Sequence, residues 1–283
     1  MPGLRDGAGS ADSGNPDEAG TPGDGTPECA GKPPEEPVPA REAATVMLLR
    51  DAPGGIEVFL QRRVTAMKFA AGMTVFPGGG VDERDAEASI AWAGPAAAQW
   101  AEWFGCDERL ARALVCAAVR ETFEESGVLL AGPGPDSTVG DTSGYADARA
   151  ALVARQLSLA AFLADTGLTL RADLLRPWAN WVTPEQERRR YDTKFFVAAL
   201  PAGQDADGET TEASESGWRT PSDALAAGEA GRSMLMPPTW VMLSDLAECG
   251  DVAEVLATDR TPVPKVMPTL RADGESVLVE LEP

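Results

Sequence analysis

The segment Ala118-Val119-Arg120-Glu121-Thr122-Phe123-Glu124-Glu125-Ser126-Gly127-Val128 concentrates the chain's most distinctive chemistry. Leu110, Leu114, Ala117, Ala118 and Val128 recur around it at helical spacing, which predicts a helix over 107–130. On that helix Glu121, Glu124 and Glu125 stand at i, i+3 and i+4, so three carboxylates crowd one face. Like charges so placed cost a helix about 0.2–0.5 kcal/mol per pair unless something neutralises them. A hard divalent cation does so, because Mg²⁺ favours carboxylate oxygens together with waters and substrate phosphates. For the E-x-x-E-E pattern by itself, a solvated acidic face is the alternative. Upstream, Phe76-Pro77-Gly78-Gly79 reads as a strand ending in a turn whose small residues let backbone approach a ligand or the helix.

The composition narrows the chemistry. The 283 residues include 24 Lys+Arg, 45 Asp+Glu and no histidine, for a net charge of −21. Without histidine, Ser-His-Asp and Cys-His catalysis and histidine zinc sites are excluded. Catalysis must then run on carboxylates, Lys, Tyr, Cys or a metal held by oxygen. The negative balance argues against a nucleic-acid partner, whose affinity rests on cationic contacts to phosphates. A small phosphorylated ligand is still accessible to a few local arginines. Cys29, Cys106, Cys116 and Cys249 are scattered without a C-x-x-C pair, as expected of free thiols in a reducing compartment. The N-terminus has no Sec-type signal, and the uncharged stretch Ala88–Ala101 is too short for a membrane span. A soluble cytoplasmic protein without a membrane partner is the expectation.

Elements that position the carboxylates can be placed around them. Residues 1–40, rich in Gly, Pro, Asp, Glu and Ser, read as a disordered acidic tail, and 41–283 as one mixed α/β domain. Ala44–Leu49 and Ile56–Arg62, separated by Asp51-Ala52-Pro53-Gly54-Gly55, predict a β-hairpin. Residues 146–166, 221–227, 238–248 and 252–258 read as helices; 176–182, 195–200, 216–219 and 276–281 read as strands. Polar loops are expected at 131–144 and 201–213. Arg188-Arg189-Arg190 precedes a strand and suits either a phosphate or the chain's own carboxylates.

Taken together, the two chemical segments resemble the Nudix box. Arg120, Glu121, Glu124, Glu125, Gly127 and Val128 fill its second half, with Thr122 at an aliphatic position. Counted from Gly79, the box glutamate falls on Asp85, and an insertion at about 86–112, holding Trp92, Trp100, Trp103 and Phe104, separates the halves. Pro77-Gly78-Gly79-Gly80-Val81-Asp82-Glu83-Arg84-Asp85 is similar to the P-G-G-x-x-D-x-x-D form of coenzyme A diphosphatases. Of that group's upstream motif, Arg62, Gly72 and Phe76 match, and Lys68 stands where a second arginine belongs. The long insertion, the run 189–196 and Pro237-Pro238-Thr239 look like the acyl-coenzyme A branch.

The resemblance implies a Nudix α/β/α sandwich with a mixed β-sheet and Mg²⁺- or Mn²⁺-dependent hydrolysis of a nucleoside diphosphate linked to another moiety. It assigns metal binding to Glu121, Glu124 and Glu125, catalysis to Glu124, Glu125 and Arg120, and substrate binding to Arg62, Lys68, Gly78 and Gly79. The implied substrate is coenzyme A or an acyl-coenzyme A, cut to 3′,5′-ADP and (acyl-)phosphopantetheine. ADP-ribose or a nucleotide sugar is the alternative substrate, and a non-catalytic binding module the alternative class.

Overall fold

A computed structural model describes residues 36–64, 70–87, 89–210, 213–273 and 276–280. The expected acidic tail lies outside the described residues up to residue 35, as does Lys68. Arg41–Ala52 (β1) and Gly55–Arg63 (β2) form the expected hairpin, turning at Pro53-Gly54. Met73–Val75 (β3) follows, and Gly78–Gly80 (β4) runs antiparallel to the start of β1, with Gly78 opposite Thr45. A 3₁₀ turn at Glu83–Ala86 leads through Trp92–Ala93 (β5) and Ala97–Phe104 (α1) to the long helix Glu108–Ser126 (α2). Next come Ala131–Gly132 (β6), Ala146–Val153 (α3), Leu159–Thr166 (α4), Thr169–Arg171 (β7), Leu175–Val182 (β8) and Tyr191–Ala199 (β9). The chain continues through Ala213–Arg219 (β10), Pro221–Glu229 (α5), Met234–Leu235 (β11), Pro237–Ala247 (α6) and Val252–Ala257 (α7). Lys265–Val266 (β12), Thr269–Asp273 (β13) and Ser276–Glu280 (β14) complete it.

The main sheet runs β11-β3-β2-β1-β9-β8-β12, with β10 added to β2 and β4 to β1. It is mixed: β1 is antiparallel to β2 and parallel to β9. Side chains alternate faces along a strand, and β1 obeys this strictly. Ala44, Val46 and Leu48 pack with α2 and α4, whereas Met47 and Leu49 pack with α6 and α7. Burial on both faces explains why β1 reads as a nearly continuous apolar run rather than an alternating one. The result is the expected α/β/α layering. The aromatic residues of the insertion join this core: Trp100 and Phe104 lie 5.6 and 5.3 Å, centroid to centroid, from Phe196 of β9.

Several expectations need correction. The helix expected over 107–130 ends at Ser126, because Gly127 adopts φ 72° and caps it; Val128–Leu130 stay buried as extended chain. The helix expected over 146–166 is two helices, broken where Arg155 takes φ 57° and the Gln156 amide turns back to Ala151. The Arg190 guanidinium turns to main chain, donating to the carbonyls of Thr183 and Val38. No helix among the described residues is long and apolar enough to cross a membrane.

A buried charge cluster ties β9 to its neighbours. Lys194 donates to Asp192 at 2.8 Å and Glu42 at 2.6 Å, and Lys265 donates to Asp192 at 2.7 Å. Burial alone would raise the Asp192 carboxyl, but hydrogen bonds from Lys194, Lys265 and Asn180 overcome it and hold it below the usual carboxylate value. A depressed carboxylate stabilises the fold above its unfolded value, near pH 4, and loses that contribution as pH falls through the folded value. The melting temperature should therefore drop as pH is lowered from about 5 to 3, and Asp192→Asn should lower stability by about 3 kcal/mol and flatten that acid limb. Thermal melts of both proteins across this range check it.

Candidate active site

Helix α2 starts from a side-chain cap, the Asp107 carboxylate accepting from the Leu110 amide at 2.8 Å. Its last two turns carry the carboxylate face. Thr122, at the aliphatic position of the box, is fully buried and satisfies its hydroxyl on the Ala118 carbonyl, 2.7 Å away, so no polar group is stranded.

Arg120 organises the face. Its guanidinium grips Asp85 with two hydrogen bonds, 3.0 Å from Nε and 2.9 Å from Nη2. Nη1 donates to Glu121 at 2.7 Å and Glu124 at 3.3 Å, and Nη2 also donates to the Gly80 carbonyl at 3.0 Å. Asp85 is held in turn: its Oδ2 accepts from the Asp82 amide at 2.8 Å, closing a capping box on the 3₁₀ turn. Arg84 binds the Asp82 carboxylate and holds it well below the usual range. The position left open by the interrupted box, Asp85, is thus the anchor of Arg120.

Glu125 turns the other way. One oxygen accepts from the Gly78 amide at 2.8 Å and from Nε2 of Gln61 on β2. The two glycines are required by distance rather than by turn conformation. A Cβ on Gly79 would come within 2.5 Å of Glu121 Oε1, and one on Gly78 within 2.5 Å of the Ala44 carbonyl. Gly79 therefore lets β4 lie against the carboxylates, and Gly78 lets it lie against β1.

Asp82, Arg84, Arg120, Glu121, Glu124, Glu125 and Arg155 line a small cavity of about 90 Å³. Burial pushes the Glu121 carboxyl up to about 7 against the pull of Arg120, with Glu124 and Asp85 adding to the rise. Burial raises Glu124 as well, again opposed by Arg120. For Arg120 burial opposes the charge, but the Asp85 hydrogen bonds and the surrounding carboxylates hold its pKa above the usual value. One guanidinium thus serves three carboxylates, Asp85, Glu121 and Glu124, and the cavity lining holds four carboxylates against three guanidiniums.

All the predicted carboxylates are brought together with Arg120, Gly78 and Gly79. Among the described residues, however, no three acidic, Cys or His side chains converge into a ligand set, since Glu121 and Glu124 lean on Arg120 and Glu125 on β4. The donors suit a hard cation on chemistry: they are carboxylate oxygens, partly desolvated, with excess negative charge. Arg62 is exposed on β2 and opens onto a neighbouring cleft instead. Sequence reading passed over Gln61, yet a glutamine two positions after Phe59 in an apolar strand falls on the face that meets α2, and that is the available signal. It passed over Arg155 for lack of any signal, since the break that turns this residue to the cavity is not written in local residue types.

Comparison with known proteins follows the same outline. A family model described as the NUDT19 Nudix domain matches residues 106–246. A Caenorhabditis elegans protein provisionally named nudix hydrolase 7 is 30% identical over 242 residues, covering 80% of this chain and 68% of that one. The chicken (Gallus gallus) acyl-coenzyme A diphosphatase NUDT19 is 29% identical over 263 residues, covering 73% and 68%. A crystal structure of a NUDIX hydrolase from Alicyclobacillus acidocaldarius superposes with a TM-score of 0.66 at 29% identity, over 78% of this chain and 96% of that one. The carboxylate helix, the glycine strand laid against it and these relatives agree: the chain belongs to the Nudix hydrolase family.

Proposed function

We propose that the chain hydrolyses the diphosphate of coenzyme A or an acyl-coenzyme A, releasing 3′,5′-ADP and a phosphopantetheine, with Mg²⁺ or Mn²⁺ held by Glu121, Glu124 and Glu125. The observation that carries this reading is the cluster of partly desolvated carboxylates around Arg120, facing a cavity beside the glycine strand. A similarity to a protein named as an acyl-coenzyme A diphosphatase supports the choice of substrate.

Bound there, a divalent cation would screen the diphosphate and lower the pKa of the attacking water. The chain's own residues do the positioning. Arg120, locked by Asp85, fixes the rotamers of Glu121 and Glu124, and the pair of donors on Glu125 fixes its carboxylate against β4. The chain has no histidine, and the carboxylates that face the cavity are the side chains placed to act as general base. Glu124 suits that role better than Glu125. Its contact to Arg120 is a long 3.3 Å, whereas Glu125 already accepts from Gly78 and Gln61.

A turnover screen of coenzyme A, acetyl-coenzyme A, ADP-ribose and nucleotide sugars, with products identified by mass, tests the reading. The expected outcome is cation-dependent release of 3′,5′-ADP, abolished by a chelator and restored by Mg²⁺ or Mn²⁺. Preference for ADP-ribose would move the substrate assignment to the other diphosphates, and absence of turnover on every substrate would overturn the enzyme reading. Glu125→Gln should lower kcat by at least about 100-fold with the fold intact by circular dichroism.

Asp85→Asn separates positioning from chemistry. It keeps the side chain's shape but removes the charge that locks Arg120, and should lower kcat about ten-fold together with the melting temperature. An Asp85→Asn protein with unchanged kcat would show that Arg120 needs no anchor.

A further inference from the structure

Three arginines line the carboxylate cavity, and two of them are fully engaged. Every side-chain nitrogen of Arg120 donates, to Asp85, Glu121, Glu124 or the Gly80 carbonyl. Every side-chain nitrogen of Arg84 donates as well, to Asp82 or to the carbonyls of Arg155 and Leu157. The third arginine, Arg155, is exposed, and among the described residues its guanidinium has no hydrogen-bond or ion-pair partner. It is near enough for its charge to draw the Glu124 carboxyl down, against the burial that raises it, yet it is bonded to none of the carboxylates around it.

The backbone, not an ion pair, holds Arg155 over the cavity. Where α3 ends, the Arg155 amide donates to the Leu152 carbonyl at 2.8 Å and the Gln156 amide to the Ala151 carbonyl at 2.8 Å. Arg155 thus takes the left-handed position of a Schellman cap, with φ 57°. Glycine adopts this conformation without strain, and the chain uses it to close α1, α2 and α4, at Gly105, Gly127 and Gly167. At α3 an arginine bears the strain instead. Arg84 pins the turn through the Arg155 and Leu157 carbonyls, at 3.3 and 3.4 Å, while it holds Asp82. The Asp82 amide in turn donates to Asp85, the anchor of Arg120. One hydrogen-bonded chain therefore orders the glutamates and places the unengaged guanidinium beside them. Backbone strain of this kind persists where the surroundings enforce it, and it clusters at functional positions.

We propose that Arg155 is a catalytic residue of the diphosphate hydrolysis, gripping non-bridging oxygens of the phosphate that departs. The inference rests on the diphosphatase reading above for the reaction, and on the cavity alone for the contact to an anion. In the hydrolysis the water oxygen bonds to one phosphorus, a water proton passes to a carboxylate, and the bond from that phosphorus to the bridging oxygen breaks. The electron pair of the broken bond stays on the bridging oxygen, so negative charge gathers on the departing phosphate. A planar fork of donors matches phosphate oxygens and offsets that charge. Arg120 and Arg84 have no nitrogen to spare for it, and Arg155 has all of its own.

Arg155→Gly tests the assignment, because glycine removes the guanidinium and suits the left-handed turn, so the variant folds. Its melting temperature in metal-free buffer should match or exceed that of the wild type. Calorimetric titration of α,β-methylene-ADP, whose P–C–P link resists hydrolysis, into the Mn²⁺-saturated full chain should show binding weakened at least about ten-fold. Mn²⁺ itself should bind the variant as tightly as before or more tightly, since one positive charge has left the cavity. With coenzyme A, Arg155→Gly should lower kcat at least about 30-fold, and Arg155→Lys should recover only part of the loss. A wild type that does not bind the analogue, or an Arg155→Gly chain that binds it equally well, overturns the inference. So does weakened binding accompanied by a clear drop in melting temperature, which would make Arg155 a support of the fold. Arg155-dependent binding of the analogue without turnover of any diphosphate overturns the proposed function and leaves the contact standing; turnover that survives Arg155→Gly does the reverse.

Discussion

Arg120 donates at once to Asp85, Glu121, Glu124 and the Gly80 carbonyl, and the rest of the site is arranged around that one buried guanidinium. Three glutamates on two turns of helix repel one another, and burial makes each charge harder to keep. The guanidinium offsets both costs by offering a fork to Asp85 and a third nitrogen to the glutamates. Removing one partner from such a cluster would leave buried charge uncompensated, which costs several kcal/mol. The cluster is therefore held as a unit: the capping box orients Asp85, Asp85 orients Arg120, and Arg120 orients the glutamates.

The same logic explains how the box tolerates a long interruption. The chain leaves after the 3₁₀ turn and returns at the Asp107 cap of α2, so both halves of the charge cluster lie outside the excursion. What joins them is tertiary: the Arg120–Asp85 fork spans the insertion, and the excursion adds Trp100 and Phe104 to the core beside Phe196. Glu125 supplies the other link, from helix to sheet, through Gly78 and Gln61. The glycines permit it by close approach, since any side chain at Gly79 would occupy the space of the Glu121 carboxylate.

The elements whose residues carry their own local signal were legible in the sequence. The hairpin announced itself through Pro53-Gly54-Gly55 and the carboxylate face through its i, i+3, i+4 spacing; the glycines after Pro77 read as a turn, whereas Gly78–Gly80 pair with β1 as a short strand. Signals that depend on three-dimensional neighbours were not. The end of α2 was misplaced by four residues because Val128–Leu130 are apolar enough to continue a helix, while Gly127 had already stopped it. The break at Arg155 was missed because a non-glycine residue takes a left-handed conformation there. Asp85 could be named but not given a task, since its partner lies 35 positions away; Gln61 carries meaning only once β2 meets α2.

The central claim is that the carboxylates ordered by Arg120 take up a divalent cation. Electron paramagnetic resonance of Mn²⁺ titrated into the full chain measures this without substrate, because the six-line signal of the free ion is lost on binding. The account predicts saturable loss of that signal with the wild-type protein, and weakening by at least about ten-fold in a folded Glu121→Gln/Glu124→Gln double variant. A double variant that binds Mn²⁺ as the wild type does would contradict it.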